Sequence, residues 1–395
     1  MKIAIFTETY LPQSSAVETQ VLLLAQSLLR LGHEVLVVSS DVESDECYLE
    51  QNAAFCPAKL APTIYGQSGK RTKLNQLKRF IQEFDPDVIH LFTFCEIGGL
   101  GLKYALAHDL PLLTTVQNTH DISAGFYGRK VTRLLSQKAC QSNYRKALAF
   151  SDLVTSPSQK ILRKIRPLCK HKQMMLSPLC VDTELFRNAV SNGKEADSVR
   201  RRLGINGKTG ILFVGTLGKD NQIDQLLEHW AKLSKEQSKL HLSIVGGGPE
   251  LEDLKSRANL LGISSRVTFT GEMTREQIAI CYRLCSAFLS ASDSDAVKAA
   301  PLEAILSGLP VILPKNSAGA ELLTEGVNGF TYDEETDIGG ILKHFAGLDT
   351  EKEELLRKLV SGTLDNLTLE GQAKQFVQCY ALSQKHHYKK AADLE

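Results

Sequence analysis

The sequence predicts an α/β chain made of two Rossmann-like domains with parallel sheets. Three observations lead there. The chain has 395 residues, which is long for one hydrophobic core and suits two. At its start, Lys2 to Phe6 reads as a strand, a helix follows from Val17 to Leu31, and Glu34 to Val38 reads as the next strand. Far downstream the same alternation returns: the apolar runs Phe288-Leu289 and Val311-Ile312-Leu313 read as buried parallel strands around a helix from Pro301 to Ser307.

Composition removes several classes of function. The formal net charge is +1, so the whole chain lacks the basic excess of a nucleic-acid binder. No apolar run approaches the roughly 18 residues of a membrane span. The opening MKIAIFTETYLP alternates like a strand and lacks the apolar core and cleavage site of a signal peptide. The nine cysteines are scattered without a Cys-x-x-Cys pair, so neither a zinc ribbon nor a redox motif is indicated. Such an unpatterned set suits a reducing cytoplasm. Cys281 and Cys285 share a helical face and read as core. The first turn has no G-x-G-x-x-G, which disfavours a dehydrogenase or other dinucleotide enzyme.

The downstream unit carries the chemistry. Pro301 sits near the first turn of its helix, and Gly308 fits the stop, where a positive φ is often required. The preceding loop lies at the carboxyl end of a strand, where open α/β sheets bind ligands and where free helix N–H groups attract phosphate. Asp295 stands before the helix and Glu303 inside it, so the two carboxylates can reach different ends of one ligand.

This stretch, Asp295-x7-Glu303 with Ala304 and then Ser307-Gly308-Leu309-Pro310-Val311, resembles the donor-site signature of the family 4 retaining glycosyltransferases. The resemblance implies the GT-B fold, two Rossmann-like domains facing a central cleft. It implies that Glu303 holds the nucleotide ribose and that Asp295 contacts the transferred sugar. Gly246-Gly247-Gly248-Pro249 matches the family turn beside the nucleotide base, and Gly271 closes the strand that supplies a base-facing loop. The backbone of Ala296, Val297 and Lys298 lies on the implied diphosphate path.

Read in order, the chain keeps the family pattern with five departures at site positions and one at the hinge, where the usual Asn-Gly before Val181-Asp182 is absent. The N-terminal wording ETYLPQ…LGHEV resembles the acceptor domain, but Ala16 stands where a glycine is usual. Asp85-Pro86-Asp87 leads into the strand Val88 to Leu91, and His90 matches a family position that serves structure as often as function. Leu110 to Thr115 is the next strand; beyond it Gln117 replaces a family His, and His120 is the nearby candidate to substitute for it. Ser151 to Thr155 closes the first domain's sheet. Leu179-Cys180-Val181-Asp182 and Phe186 fall at the hinge. A helix over Ser198 to Leu203 and a strand over Ile211 to Gly215 open the second domain. There Thr216 and Asn221 replace the Arg and Lys that neutralise the donor diphosphate, and Lys298 replaces a glycine. Lys219 and Lys298 are the candidate replacement cations. A missing electrostatic partner of this kind typically costs about 3 kcal/mol of transition-state stabilisation.

Residues 126 to 172 hold twelve lysines and arginines against one acid, Asp152. The common explanation is a solvated helix face. The sharper one is a surface for anionic membrane, which fits relatives that glycosylate lipids.

The resulting expectation is a retaining glycosyltransferase that uses a nucleotide sugar and acts on a lipid or glycan, without metal or cofactor. It would be cytoplasmic and peripheral at the inner face of a membrane, with no nucleic-acid partner. Acceptor binding is assigned to residues 1–187, donor binding to 188–370, and a helix in 371–395 crosses back to the first domain. The alternative is an inactive GT-B scaffold subunit, favoured by the departures at Ala16, Gln117, Thr216, Asn221 and Lys298.

Overall fold

The computed structural model describes residues 1–8, 16–41, 47–50, 52–57, 74–117, 130–169, 173–233, 239–333 and 338–392. The chain divides into two compact units, residues 1–180 with 369–395, and residues 181–368.

The first unit is built on an eight-stranded sheet. Its strands are β1 (Lys2–Phe6), β2 (Glu34–Asp41), β3 (Tyr48–Glu50), β4 (Ala53–Pro57), β5 (Val88–Leu91), β6 (Leu112–Thr115), β7 (Leu153–Ser156) and β8 (Gln173–Leu176), in the order β3-β4-β2-β1-β5-β6-β7-β8. All pair in parallel except β3 with β4. The helices are α1 (Ala16–Arg30), α2 (Leu74–Phe84), α3 (Glu96–Ala107), α4 (Lys130–Phe150) and α5 (Gln159–Ile165).

The period of two along β1 divides its side chains between two cores. Ile3 and Ile5 pack with Val21, Leu24 and Leu28 of α1. Ala4 and Phe6 pack with Leu77 and Ile81 of α2, Leu100 of α3 and Ile161 of α5. A strand covered on both faces has no polar side, which is why Lys2 to Phe6 becomes continuously apolar after its first residue.

The second unit begins with α6 (Thr183–Arg187) and α7 (Gly193–Leu203) and continues with β9 (Thr209–Val214), α8 (Ile223–Lys232), β10 (Leu240–Val245), α9 (Leu251–Leu260), β11 (Val267–Gly271), α10 (Arg275–Leu284), β12 (Ala287–Leu289), α11 (Ala299–Leu306), β13 (Val311–Pro314), β14 (Gly329–Tyr332), α12 (Ile338–Ala346) and α13 (Thr350–Gly362). Its six strands are all parallel, in the order β11-β10-β9-β12-β13-β14. Ile211 and Phe213 of β9 pack with Leu226, Leu227 and Trp230 of α8 and with Leu342 and Phe345 of α12. α10 starts at a reciprocal capping box, Thr274 with Gln277, which satisfies two helix-end donors at once. α11 stops at Gly308, whose φ is 76°, as its place after the helix predicts.

The first unit ends at Cys180 rather than at the expected 187. The reason is local: Phe186 is fully buried, and its carbonyl accepts a hydrogen bond from Ser307 Oγ, so α6 packs with α11. The last helix, α14 (Leu369–Ala392), belongs to the first unit. Its Phe376 and Tyr380 join the Ile3 and Ile5 core.

Two of the scattered cysteines meet, a pairing the spacing does not show. Cys95, just before α3, is disulfide-bonded to Cys140 on α4, with their Cα atoms 4.5 Å apart. The pairing is invisible in the spacing because 45 residues separate the two and only the packing of α3 on α4 brings them together. Cys281 and Cys285 are free and fully buried, as core residues are. Among the described residues, no helix is long and apolar enough to cross a membrane.

Candidate functional site

The loops at the carboxyl ends of β9, β10 and β12 are held together by hydrogen bonds. After β10, Gly246 has φ 140° and Gly248 has φ 154°. A Cβ on Gly246 would lie 2.0 Å from the Gly215 carbonyl oxygen, and one on Gly248 would lie 2.4 Å from that of Leu217. Backbone approach this close is open to glycine alone. It lets Leu217 N–H donate to Gly247 O at 2.7 Å and Glu250 N–H donate to Leu217 O at 3.1 Å. Gly246 N–H donates to Gly271 O at 3.0 Å, which ties in the end of β11.

The loop after β9 is tied equally well to the loop after β12. Ser292 Oγ donates to the Asp220 carbonyl at 2.7 Å, and Asp293 N–H donates to Gln222 Oε1 at 3.1 Å. Asn221 is buried and donates through Nδ2 to Thr216 O at 2.7 Å. Lys298, the N-cap position of α11, reaches back into this loop. Its ammonium donates to Asn221 Oδ1, to Asp220 Oδ2 at 3.0 Å and to Asp220 O at 3.3 Å. Burial lowers the Lys298 ammonium from its ordinary range, and the Asp220 carboxylate opposes that shift. Lys219 goes elsewhere: it lines a shallow groove between α8 and α9 with Gln222, Glu250 and Asp253. Thr216 is exposed.

Asp295 and Glu303 are both buried, at 8% and 7% exposure. Ala296 N–H donates to Ser294 Oγ at 3.1 Å, and Val297 is buried. Glu303 Oε2 accepts from the Tyr282 hydroxyl at 3.1 Å, and Arg275 Nη2 stands 3.6 Å from Oε1. Burial raises the Glu303 carboxyl; the Arg275 charge and the Tyr282 hydrogen bond pull it back, and Asp182 raises it. A carboxylate held this way can accept hydrogen bonds from a ligand diol. Tyr282 and Arg275 were missed in the sequence. Nothing in their spacing connects them to Glu303, since the meeting depends on the packing of α10 beside α11.

In the first unit, Gln117 is half-buried, and its Nε2 donates to Gln20 Oε1 on α1 at 2.9 Å. His120 lies outside the described residues, as does the side chain of Ala16. His90 is a buried structural residue. One ring nitrogen meets the Tyr380 hydroxyl at 2.9 Å and the other meets Thr115 Oγ1 at 2.7 Å. Among the described residues, no group of three or more His, Cys, Asp or Glu could hold a metal ion.

Comparison with known proteins joins these observations. The model described as glycosyltransferase family 4 matches residues 17–185, and that of glycosyl transferases group 1 matches residues 195–361. The chain is 26% identical over 370 residues to an alpha-monoglucosyldiacylglycerol synthase of Streptococcus pneumoniae, covering 93% of this chain and 83% of that one. It is 26% identical over 331 residues to a GDP-mannose-dependent alpha-mannosyltransferase of Mycobacterium tuberculosis, covering 82% of each. Among solved structures it is similar to a sucrose-phosphate synthase from Thermosynechococcus elongatus, with TM-score 0.72, 17% identity and coverage of 96% and 98%. It is also similar to WaaG, a glycosyltransferase involved in lipopolysaccharide biosynthesis, with TM-score 0.67, 16% identity and coverage of 96% and 99%. Both halves of the chain are thus accounted for, and it belongs to the family 4 glycosyltransferases, enzymes of GT-B fold.

Proposed function

We propose that this glycosyltransferase moves a sugar, with retention, from a nucleotide-sugar donor to a lipid or glycan acceptor. Glu303 holds the ribose, Asp295 reads the sugar, and the turn at 246–248 with Gly271 lies along the base. The observation that carries the proposal is the Lys298 ammonium bonded to Asn221. It brings a cation to the side chain that replaces the family's lysine, so the donor diphosphate would still meet fixed positive charge. Such preorganised charge stabilises a leaving diphosphate. Lys219, in its groove with Glu250 and Asp253, is assigned a minor part, and Thr216 contributes its backbone. The acceptor side belongs to the first unit, with Gln117 as its candidate polar contact; His120 remains a candidate there.

In the proposed reaction the acceptor hydroxyl attacks the anomeric carbon on the face that the diphosphate leaves. The bond from that carbon to the phosphate oxygen breaks, and the acceptor proton passes to the leaving phosphate. No metal or cofactor takes part. The named relatives make alpha linkages, which retention from an alpha-linked donor produces.

A membrane acceptor is supported by the diacylglycerol in a relative's name and by α4. Lys138, Arg145 and Lys146 are exposed on that helix, and the aromatic Phe150 at its end is 53% exposed. Of the other basic residues in this segment, Arg163, Lys164 and Arg166 are exposed, while those at 129, 170 and 172 and the side chains at 130 and 133 lie outside the described residues. The reading places the enzyme at the inner face of a membrane, on the cytoplasmic side.

The experiment is a thermal-shift screen against UDP, GDP, ADP and their sugars, followed by donor-hydrolysis assays with any sugar that binds. A ligand at a hundred times its dissociation constant stabilises by about 2.7 kcal/mol. A chain that binds none of them is an inactive scaffold, and the donor reading is then wrong.

A further inference from the structure

Glu303 lies among several charged and titratable groups. On α10 are Arg275, Tyr282 and Arg283, the last donating to the Ser307 carbonyl at 3.2 Å. Asp182 caps α6, accepting from Leu185 N–H at 3.0 Å. On α13, Arg357 donates to the Tyr282 carbonyl at 3.2 Å and also to the Cys285 carbonyl. Arg283 is therefore spent on a backbone carbonyl, and Arg357 on backbone carbonyls and on the Glu353 carboxylate, whose Oε1 lies 2.9 Å from its Nη2. Of these cations, Arg275 is the one in ion-pair contact with the carboxylate.

Its contact is unusual. At 3.6 Å the pair is too long for a hydrogen bond. Arg275 Nη2 is buried and has no hydrogen-bond partner among the described residues. The guanidinium carbon sits 5.3 Å over the centre of the Phe186 ring, within the range of cation–π attraction. A closer, two-pronged arginine pair would occupy both carboxylate oxygens. Here Tyr282 takes Oε2, while Oε1 receives charge without being consumed.

Resting on the ribose assignment above, we propose that Arg275 is a positioning residue for nucleotide recognition: it gives buried Glu303 the counter-charge it needs while leaving Oε1 open to a ribose diol. Burial raises the Glu303 carboxyl, and Arg275 is the largest influence pulling it back. Nucleotide binding therefore weakens as pH falls through the Glu303 titration. Without Arg275 that weakening begins at higher pH.

The test compares wild type, Arg275→Gln, Arg275→Lys and Glu303→Gln. Calorimetry with UDP, GDP and ADP is run across the range where carboxylates and histidines titrate. In Arg275→Gln the acid limb of affinity moves up by roughly one pH unit or more, the effect of removing an opposite charge at this range. Arg275→Lys returns it toward wild type, which loss of packing alone would not produce. An unshifted acid limb in Arg275→Gln overturns the proposal. The ribose assignment is separated by infrared titration of the free protein, with the Glu303 carboxyl band identified by its loss in Glu303→Gln. A band that titrates in the same place with and without Arg275 also overturns the proposal. A band that shifts, while Glu303→Gln leaves nucleotide affinity unchanged, supports the charge pairing and overturns the ribose assignment instead.

Discussion

The Lys298 ammonium donates a hydrogen bond to the Asn221 side-chain oxygen across 77 residues of sequence. The family resemblance implies a lysine at position 221 and a glycine at position 298. On the proposed reading, the positive charge expected at 221 is supplied from the other loop in the same neighbourhood. Asp220 Oδ2, bound to the same ammonium at 3.0 Å, holds the cation in a place where a donor phosphate could take over.

Lys298→Ala is accordingly expected to weaken donor binding by about 1.5–3 kcal/mol, the range for a hydrogen bond to a charged group. Lys219→Ala, on its separate groove, has a smaller effect. The double change Lys298→Gly with Asn221→Lys restores the family arrangement and recovers affinity relative to Lys298→Gly alone. Calorimetry with the best nucleotide sugar measures all four. A double variant no better than the single one would sink the idea of a relocated charge.

The glycine turn after β10 makes a second prediction. Gly248→Ala places a methyl 2.4 Å from the Leu217 carbonyl oxygen at φ 154°. Gly207→Ala, at φ 67°, meets nothing within 4 Å. The first change combines collision with backbone strain, whereas the second adds strain alone, about 1–2 kcal/mol. Urea unfolding is expected to show a larger loss for Gly248→Ala, together with weaker nucleotide binding. Equal losses would mean that the turn relaxes freely.

His90 and Tyr380 make a third. Burial lowers the His90 imidazole to about 3, so the ring is neutral in the folded chain and ionises in the unfolded one below about 6.5. The unfolded chain therefore binds the extra proton. The ring's contribution is fully present above about pH 6.5 and is lost progressively as pH falls toward 3. Tyr380→Phe leaves a buried ring nitrogen without its partner and costs about 1–3 kcal/mol. His90→Gln flattens part of the acid decline. Chemical denaturation at several pH values decides it: an acid slope unchanged in His90→Gln would show that other groups carry the loss.

The exposed cations of α4 make a fourth. Replacing Lys138, Arg145 and Lys146 together by alanine is expected to reduce co-sedimentation with anionic vesicles and to leave binding to neutral ones unchanged. Raising salt imitates the change, because exposed charge is screened within about 10 Å at 0.1 M salt. Identical sedimentation of both proteins would return α4 to an ordinary solvated face.

What the sequence alone determined is local. The apolar runs at Ile3 to Phe6 and Val311 to Leu313 specify buried strands because their side-chain pattern repeats over a few residues. Gly308 marks the end of α11 because a positive φ is a property of one position. The order of these signals was enough for two α/β units, and Asp295 and Glu303 together with Ala304 and the Gly308-Leu309-Pro310-Val311 ending carried the family resemblance. Only tertiary structure decided which side chains meet. Arg275 and Tyr282 reach Glu303, Lys298 reaches Asn221, Cys95 reaches Cys140, and Tyr380 returns from the last helix to His90. Each of these contacts depends on how separate elements pack, and the chain between the partners is too long for any local pattern to carry the information. The absence of the expected cations at 216 and 221 is legible in the sequence, but the cation beside Asn221 is there because the N-cap residue of α11, Lys298, reaches the loop after β9.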